Sequence, residues 1–220
     1  MGAAATAKAE DKAAFELALE NPLGLLVRNG PVTFHPQMSK AEFHRFLLRN
    51  DDLRIERDKH GYVTIHPIMT YDSGFLEGLA FTFLSNWSLK NRKLGRALSP
   101  SASFDLPDGS TCKADGAWVS IQKHNQLTEE ERKHIPMLVP DFVMEVRSQT
   151  DSLAKLRRKM QDVWMANGVE VAWLIDPMRG TAWIYRKDSE VKSFKKFDGI
   201  LTVGNLMPGF ELDLKDLKND

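Results

Sequence analysis

The sequence predicts an α/β (α+β) fold in which a mixed central β-sheet is flanked by helices. The main observation is the stretch from Pro140 to Pro177, which has the pattern of a strand, a loop, an amphipathic helix and a second strand. At this length, such a unit forms a right-handed crossover between parallel strands. The segment from Val169 to Ile175 is apolar enough for a strand that is covered on both faces. In addition, 220 residues with 42% hydrophobic content suffice for one sizeable core.

Composition limits the domain organisation and the class of protein. We expect one domain over residues 39–215, preceded by an N-terminal tail and helix in residues 1–38. Lysine plus arginine total 30, as do aspartate plus glutamate, so the net charge gives no general attraction to nucleic acid. The single cysteine, Cys112, excludes an intramolecular disulfide and a cysteine-built zinc site. The chain lacks the apolar core of a signal peptide and an apolar run of membrane-spanning length, so we expect a cytoplasmic protein.

Three helices are indicated before the central stretch. The first is expected from about Asp11 to Glu20. Ser39 and Glu42 have the spacing of a capping box, which opens a second helix. From Asp72 to Leu89 apolar residues recur at helical spacing, and Glu77 lies on this third helix. The core face of the second helix is expected to consist of Phe43, Phe46, Leu47 and Leu48.

Several strands are expected on both sides of the central stretch. Residues 53–57 and 62–66 flank a polar turn that ends in Gly61, which suits a hairpin with Glu56 on its first arm. Cys112 to Ser120 is expected to form one strand that carries Asp115. Further strands are expected within residues 95–104, 181–186 and 191–197, and the last two are expected to pair as a hairpin.

The central stretch itself carries two charged residues on its first strand. Apolar side chains alternate with others from Asp141 to Arg147, so Glu145 and Arg147 are expected to share one face. Thr150 or Ser152 can cap the helix that follows. This helix is expected to end at Asn167-Gly168.

Four motifs occur in order, and together they carry a resemblance. They are FDLPDGSTCKADGAWVS around Asp115, PDFVMEVRSQTD around Glu145, KMQDVWMANGVEVAWLIDP after it, and a terminal LMPGFELDL. The run from about Ser39 to Leu214 resembles the Uma family of restriction endonucleases, a branch of the PD-(D/E)XK nuclease superfamily. The resemblance implies a mixed sheet flanked by helices, and metal-dependent hydrolysis of phosphodiester bonds in DNA.

The chemistry of Asp115 and Glu145 agrees with this implication. Two carboxylates on neighbouring strands can hold a hard divalent ion such as Mg²⁺, with Mn²⁺ as an alternative, and leave room for waters and phosphate oxygens. The ion would polarise the phosphoryl group and lower the pKa of a bound water. A nearby cation would stabilise the charged transition state.

The source of this cation departs from the superfamily pattern, which places a lysine two residues after the glutamate. That position is Arg147, and arginine is a poor general base because it does not deprotonate. Some family members place the lysine on the following helix, which makes Lys159 the best candidate. The spacing from Lys159 to Gly168 is one residue longer than that of the family, and the aromatic residue that follows the lysine is shifted to Trp164. Ala114 replaces the proline of the motif.

Each candidate also has a purely structural explanation. Glu145 could form a buried ion pair with Arg147. Glu56 could add a carboxylate to the site or be a solvated strand residue. Lys159 could complete the site or pair with Asp162 on a wet helix face.

The sequence therefore supports two functions. The first is a magnesium-dependent DNA endonuclease with Asp115 and Glu145 as metal ligands, Lys159 or Arg147 completing the site, and Glu56 as an extra carboxylate. The alternative is a catalytically weakened nuclease fold that acts as a nucleic-acid-binding or assembly module. By analogy with restriction enzymes, which pair two sites to cut two strands, we expect a homodimer.

Overall fold

The structure is a computed structural model that describes residues 30–34 and 37–218. The helix predicted from Asp11 to Glu20 lies outside these residues. Helices α1 and α2 span Lys40–Leu48 and Tyr71–Lys90. The shorter helices are α3 (Ile121–Gln126), α4 (Glu129–Arg132) and α5 (Leu153–Arg158), and α5 continues as a π-helix over Lys159–Met165. Within the described ranges, no helix is long and apolar enough to cross a membrane.

A six-stranded mixed sheet forms the centre of the molecule. Its strands are β4 Gly95–Leu98, β7 Gly116–Ser120, β8 Phe142–Val146, β9 Val171–Asp176, β10 Thr181–Arg186 and β11 Lys192–Phe194. They lie in the order β11-β10-β9-β8-β7-β4. The pairing of β8 with β9 is parallel and the others are antiparallel. This confirms the parallel strand-helix-strand unit and the mixed sheet.

A second sheet is antiparallel and has five strands. They are β1 Val32–Phe34, β2 Ile55–Arg57, β3 Val63–Ile65, β5 Ser103–Asp105 and β6 Thr111–Lys113. They lie in the order β1-β3-β2-β6-β5. The sheet contains the predicted hairpin, in which Gly61 has a φ of 93°. The sequence predicts one central sheet, and the structure has this second sheet in addition. Strands β12 (Ile200–Thr202) and β13 (Glu211–Asp213) form a separate pair.

Helices cover both faces of the six-stranded sheet. On one face, α2 packs Leu76, Ala80 and Leu84 against strand residues that include Met144. On the other face, the π-helix packs Met160 and Trp164 against a cluster that includes Val143. Because side chains alternate along a strand, Glu145 points to the same face as Val143. The fold therefore directs Glu145 towards the π-helix.

Two details of the predicted elements are wrong. Cys112 to Ser120 is not one strand, because β6 and β7 belong to different sheets and Asp115 lies in the break between them. The capping box of α1 is confirmed, and Phe43 and Leu47 are buried as expected. Leu48, however, is 80% exposed, because it lies beyond the stripe that faces the second sheet.

Candidate active site

Asp115 lies where the chain leaves the five-stranded sheet and enters the six-stranded sheet. In the antiparallel register of β7 and β8, Gly116 is opposite Met144. Asp115 precedes Gly116 and Glu145 follows Met144, so the two acidic residues lie next to each other. Both are buried, with exposed fractions of 3% and 2%. The sheet junction therefore brings together the two carboxylates that the sequence analysis proposed as a pair.

In each carboxylate, one oxygen is held by neutral or cationic donors of the protein. Asp115 Oδ2 accepts a hydrogen bond from the main-chain N–H of Val146 at 2.6 Å. Glu145 Oε1 accepts a hydrogen bond from the indole N–H of Trp164 at 2.8 Å and contacts Lys159 Nζ at 2.9 Å. These contacts fix both carboxylate groups. The other two oxygens, Asp115 Oδ1 and Glu145 Oε2, face the guanidinium of Arg54.

Lys159 reaches the carboxylates from the first residue of the π-helix. Its Nζ contacts Glu145 Oε1 at 2.9 Å, donates to Glu56 Oε1 at 2.8 Å and donates to a main-chain carbonyl of β6 at 2.9 Å. The side chain is 15% exposed. The alternative that Lys159 lies on a wet helix face beside Asp162 is therefore wrong.

The π-helix accommodates the extra residue between Lys159 and Gly168. Hydrogen bonds join the N–H of Ala166 to the carbonyl of Gln161, and the N–H of Val169 to that of Trp164, both across five residues. Such wide turns interrupt α-helices mostly as single-turn bulges, frequently at functional sites. Gly168 then ends the helix with a φ of 99°, as predicted.

Glu56 is a buried partner of Lys159. Its Oε1 also accepts a hydrogen bond from the N–H of Lys113 at 3.1 Å, and its Oε2 lies 3.4 Å from His66 Nε2. The Glu56 side chain is 11% exposed, so the solvated alternative is wrong. Glu56 therefore belongs to the group, but its contacts are with Lys159 rather than with Asp115.

Arg147 does not join this group in the structure. Its Nη1 lies 2.9 Å from Asp176 Oδ2, and its Nε donates to the carbonyl of Asp151 at 3.1 Å. Strand β8 ends at Val146, so the alternation that predicted a shared face with Glu145 stops before Arg147. The alternative of a buried Glu145–Arg147 ion pair is therefore wrong, because Arg147 neutralises Asp176.

Arg54 was not anticipated from the sequence. It lies directly before β2, and its Nη2 donates to Asp115 Oδ1 at 2.7 Å and lies 4.0 Å from Glu145 Oε2. Its Nη1 lies 3.7 Å from Glu77 Oε2, which brings the α2 glutamate to the site. A signal was present, because Arg54 and Glu56 are two residues apart in a predicted strand and therefore share a face.

Burial and mutual repulsion perturb the acids. Burial raises the pKa of Glu145 to about 7 against the opposing effect of Lys159, and the charge of Asp115 adds to the rise. Burial and Asp115 also raise the pKa of Glu77 to about 7.

Burial would raise the pKa of Glu56 as well, but Lys159 and His66 hold it well below its ordinary value. Burial opposes the charge of Lys159, but Glu145 and Glu56 raise its pKa well above the ordinary lysine value. Lys159 is therefore a stable cation at neutral pH.

The charges in this group do not balance. Among the described residues, contacts of 4.0 Å or less link the four carboxylates Glu56, Glu77, Asp115 and Glu145 to two permanent cations, Arg54 and Lys159. Two negative charges therefore remain when all four carboxylates are ionised and His66 is neutral, and this excess contributes to the raised pKa of Glu145 and Glu77. Buried charges are costly unless they are compensated. A divalent cation would supply the missing charge.

The donor set also suits a hard divalent ion. Within the described residues, no group of three or more His, Cys, Asp or Glu side chains has the arrangement of a complete metal site. Mg²⁺, however, is usually bound by only one or two carboxylates and keeps several waters. Arg54 Nη2 lies 2.7 Å from Asp115 Oδ1 and 4.0 Å from Glu145 Oε2, so one cationic group already faces both oxygens. The residues therefore fit magnesium.

These groups open onto a narrow cleft, which we call the acidic cleft and define by Arg54, Asp115, Glu145 and Lys159. A larger cavity of about 700 Å³ is lined by separate residues of α1 and of segments 96–104 and 124–138. Asp115 and Glu145 line the acidic cleft and not this larger cavity.

Comparisons with known proteins identify the fold and the family of the chain. A crystal structure described as "a putative nuclease belonging to DUF820 from Anabaena variabilis ATCC 29413" matches with a TM-score of 0.68 and 20% identity, over 82% of this chain and 97% of that chain. This likeness shows a restriction-endonuclease-like fold. A cryo-electron microscopy structure of the DrdV–DNA complex matches at a TM-score of only 0.33, with 13% identity over 51% of this chain and 9% of that chain. No curated protein matches the chain. The model of the Uma2 family, described as "Putative restriction endonuclease", matches residues 41–215, and the chain belongs to this family.

Proposed function

We propose that the chain is a metal-dependent endonuclease that hydrolyses phosphodiester bonds in DNA. The observation that carries the proposal is the convergence of Asp115 Oδ1 and Glu145 Oε2 on one cation position beside the ammonium of Lys159. Membership of a family described as restriction endonucleases supports hydrolysis of nucleic acid. Substrate would enter through the acidic cleft.

Asp115 and Glu145 hold the divalent ion in this proposal, with Mg²⁺ as the expected ion and Mn²⁺ as a substitute. When bound, the ion would polarise the phosphoryl group and lower the pKa of a coordinated water. The N–H groups of Val146 and Trp164 keep the two carboxylates in place before metal binds. Such preorganisation avoids a reorganisation cost during the reaction.

Lys159 stabilises negative charge on the phosphate during the reaction. Its raised pKa keeps the ammonium protonated at neutral pH, so it acts as a cation rather than as a general base. Glu56 positions this ammonium through the 2.8 Å contact. Arg147 has a structural role in the proposal, because its guanidinium is engaged with Asp176.

The test is nicking of supercoiled plasmid by the wild-type protein and by Asp115→Asn, Glu145→Gln and Lys159→Met, with Mg²⁺, Mn²⁺ or chelator. We expect the wild type to nick with either metal and not with chelator, and each variant to lose at least about a hundredfold in rate, as is typical when one electrostatic catalytic group is removed. Asp141→Asn is a matched control. Asp141 is also a buried aspartate, but it accepts from the N–H of Ser120 and pairs with Lys123 outside the cleft.

The outcome decides between the two functions. Cleavage by the wild type and by Asp141→Asn, with loss in the three cleft variants, would support the endonuclease. A wild type that binds plasmid but does not cut it with any metal would instead favour the binding or assembly module. Sedimentation of the active protein tests the proposed homodimer, since cutting both strands at one place requires two active sites unless one site acts twice.

A further inference from the structure

We propose that Arg54 is a built-in counter-cation that occupies the metal position, so that the divalent ion must displace its guanidinium to bind. This inference rests on the proposed metal centre at Asp115 and Glu145. It adds a competing residue that controls how tightly metal binds.

The contacts of Arg54 identify the position that it occupies. Its Nη2 lies 2.7 Å from Asp115 Oδ1 and 4.0 Å from Glu145 Oε2. The other oxygen of each carboxylate is held by donors from Val146, Trp164 and Lys159. Arg54 therefore faces the two oxygens that remain free to bind a metal ion.

The partners of Arg54 also explain why it can leave. The Asp115 contact is a close hydrogen bond, but Glu77 lies 3.7 Å from Nη1 and Glu145 lies at 4.0 Å, so the guanidinium is held by one short contact rather than by several. Its Nε is buried and has no hydrogen-bond partner among the described residues. The side chain is still 22% exposed at the acidic cleft. A long side chain at a cleft can move its charged end into solvent while its stem stays packed.

Electrostatics give the sign of the effect. In the absence of metal, Arg54 compensates the buried carboxylates and so stabilises the folded protein. A divalent ion can reach the same oxygens only if the guanidinium moves away, because at a separation of about 4 Å the repulsion between the two charges is strong even at an effective dielectric constant of about 20. Removal of the charge should therefore lower the stability of the metal-free protein and raise its affinity for metal.

The experiment measures Mn²⁺ binding by electron paramagnetic resonance of the free ion, together with the Tm with and without Mn²⁺. The variants are Arg54→Met, which removes the charge, Arg54→Gln, which keeps a donor for Asp115, and Arg54→Lys, which keeps the charge. Arg57→Met is the matched control, because Arg57 lies on β2 only three residues after Arg54 but donates to the carbonyls of Met38 and Gly109.

We expect Arg54→Met and Arg54→Gln to lower the Kd for Mn²⁺ on the order of tenfold or more, since a tenfold change needs only a small part of the repulsion at this distance. Both should also gain more in Tm from Mn²⁺ than the wild type gains, because binding to the folded state raises its stability. Arg54→Lys and Arg57→Met should leave the Kd near the wild-type value. The Gln variant decides the matter if the Met variant does not fold.

Failure of this inference differs from failure of the proposed function. If the wild type binds Mn²⁺ and nicks plasmid, but the neutral variants bind Mn²⁺ no more tightly, Arg54 is not a competitor and the endonuclease stands. If the neutral variants bind more tightly but no protein nicks DNA, the competition stands and the endonuclease falls. If neither the wild type nor the neutral variants bind Mn²⁺, both the competition and the metal dependence are overturned.

Discussion

Replacement of Trp164 by phenylalanine tests whether the indole N–H holds Glu145 in place. The ring remains apolar, but the 2.8 Å hydrogen bond to Glu145 Oε1 is lost in a region where Trp164 is 0% exposed. Hydrogen bonds to charged groups contribute about 1.5–3 kcal/mol, and Glu145 Oε1 keeps its 2.9 Å contact with Lys159 Nζ after the substitution. We therefore expect the hydrogen bond alone to account for about 2 kcal/mol of the free energy of unfolding.

Trp173→Phe is the matched control for this measurement. Trp173 is also 0% exposed, but its Nε1 has no hydrogen-bond partner among the described residues. Both variants lose the same atoms, so their losses of packing are comparable and the difference between them reports mainly the hydrogen bond. In urea unfolding, Trp164→Phe should be less stable than Trp173→Phe by about 2 kcal/mol, or by roughly 4–8 °C in Tm for a chain of this size. Equal stabilities of the two variants would refute the role given to the indole.

Four further predictions concern the fold and its buried thiol. Ser39→Ala removes the hydroxyl that accepts from the N–H of Glu42 in the capping box, and should lower the free energy of unfolding in urea by about 1 kcal/mol. Gly95→Ala would drive a Cβ into the carbonyl of Val119 and should cost about 1–3 kcal/mol in the same assay. Gly74→Ala on α2 meets no atom within 4 Å and should not destabilise the protein. The thiol of Cys112 is 5% exposed, and burial together with Glu56 raises its pKa, so it should react with a thiol reagent only after the protein is unfolded in guanidinium.

Local patterns predicted most of the elements correctly, because their causes lie within a few residues. The capping box at Ser39 and Glu42 began a helix as expected. The alternation around Glu145 and the glycine at 168 defined the strand, helix and strand that carry the parallel pair. These features depend on side-chain spacing and backbone conformation, which a sequence displays directly.

The partners of the charged residues were not predictable in the same way. Nothing local to Arg54 indicates that it faces Asp115, because Arg54 lies before β2 and Asp115 lies between β6 and β7, and the two residues meet only in the folded protein. The break at Asp115 was hidden because Asp115 alternates with Ala114 and Gly116, which is also the pattern of one continuous strand from Cys112 to Ser120. Arg147 was misplaced because the alternation was extended one residue beyond the end of β8.

The extra residue in the helix also explains how two side chains of one segment, Lys159 and Trp164, can both contact Glu145. Lys159 and Trp164 both contact Glu145 Oε1, and Lys159 Nζ lies 5.6 Å from the centre of the Trp164 ring. In an α-helix of 3.6 residues per turn, side chains five residues apart would point about 140° away from each other. Hydrogen bonding across five residues instead brings such positions close to one face of the helix. The longer spacing that departs from the family pattern is thus the reason that a cation and an indole donor can hold the same carboxylate.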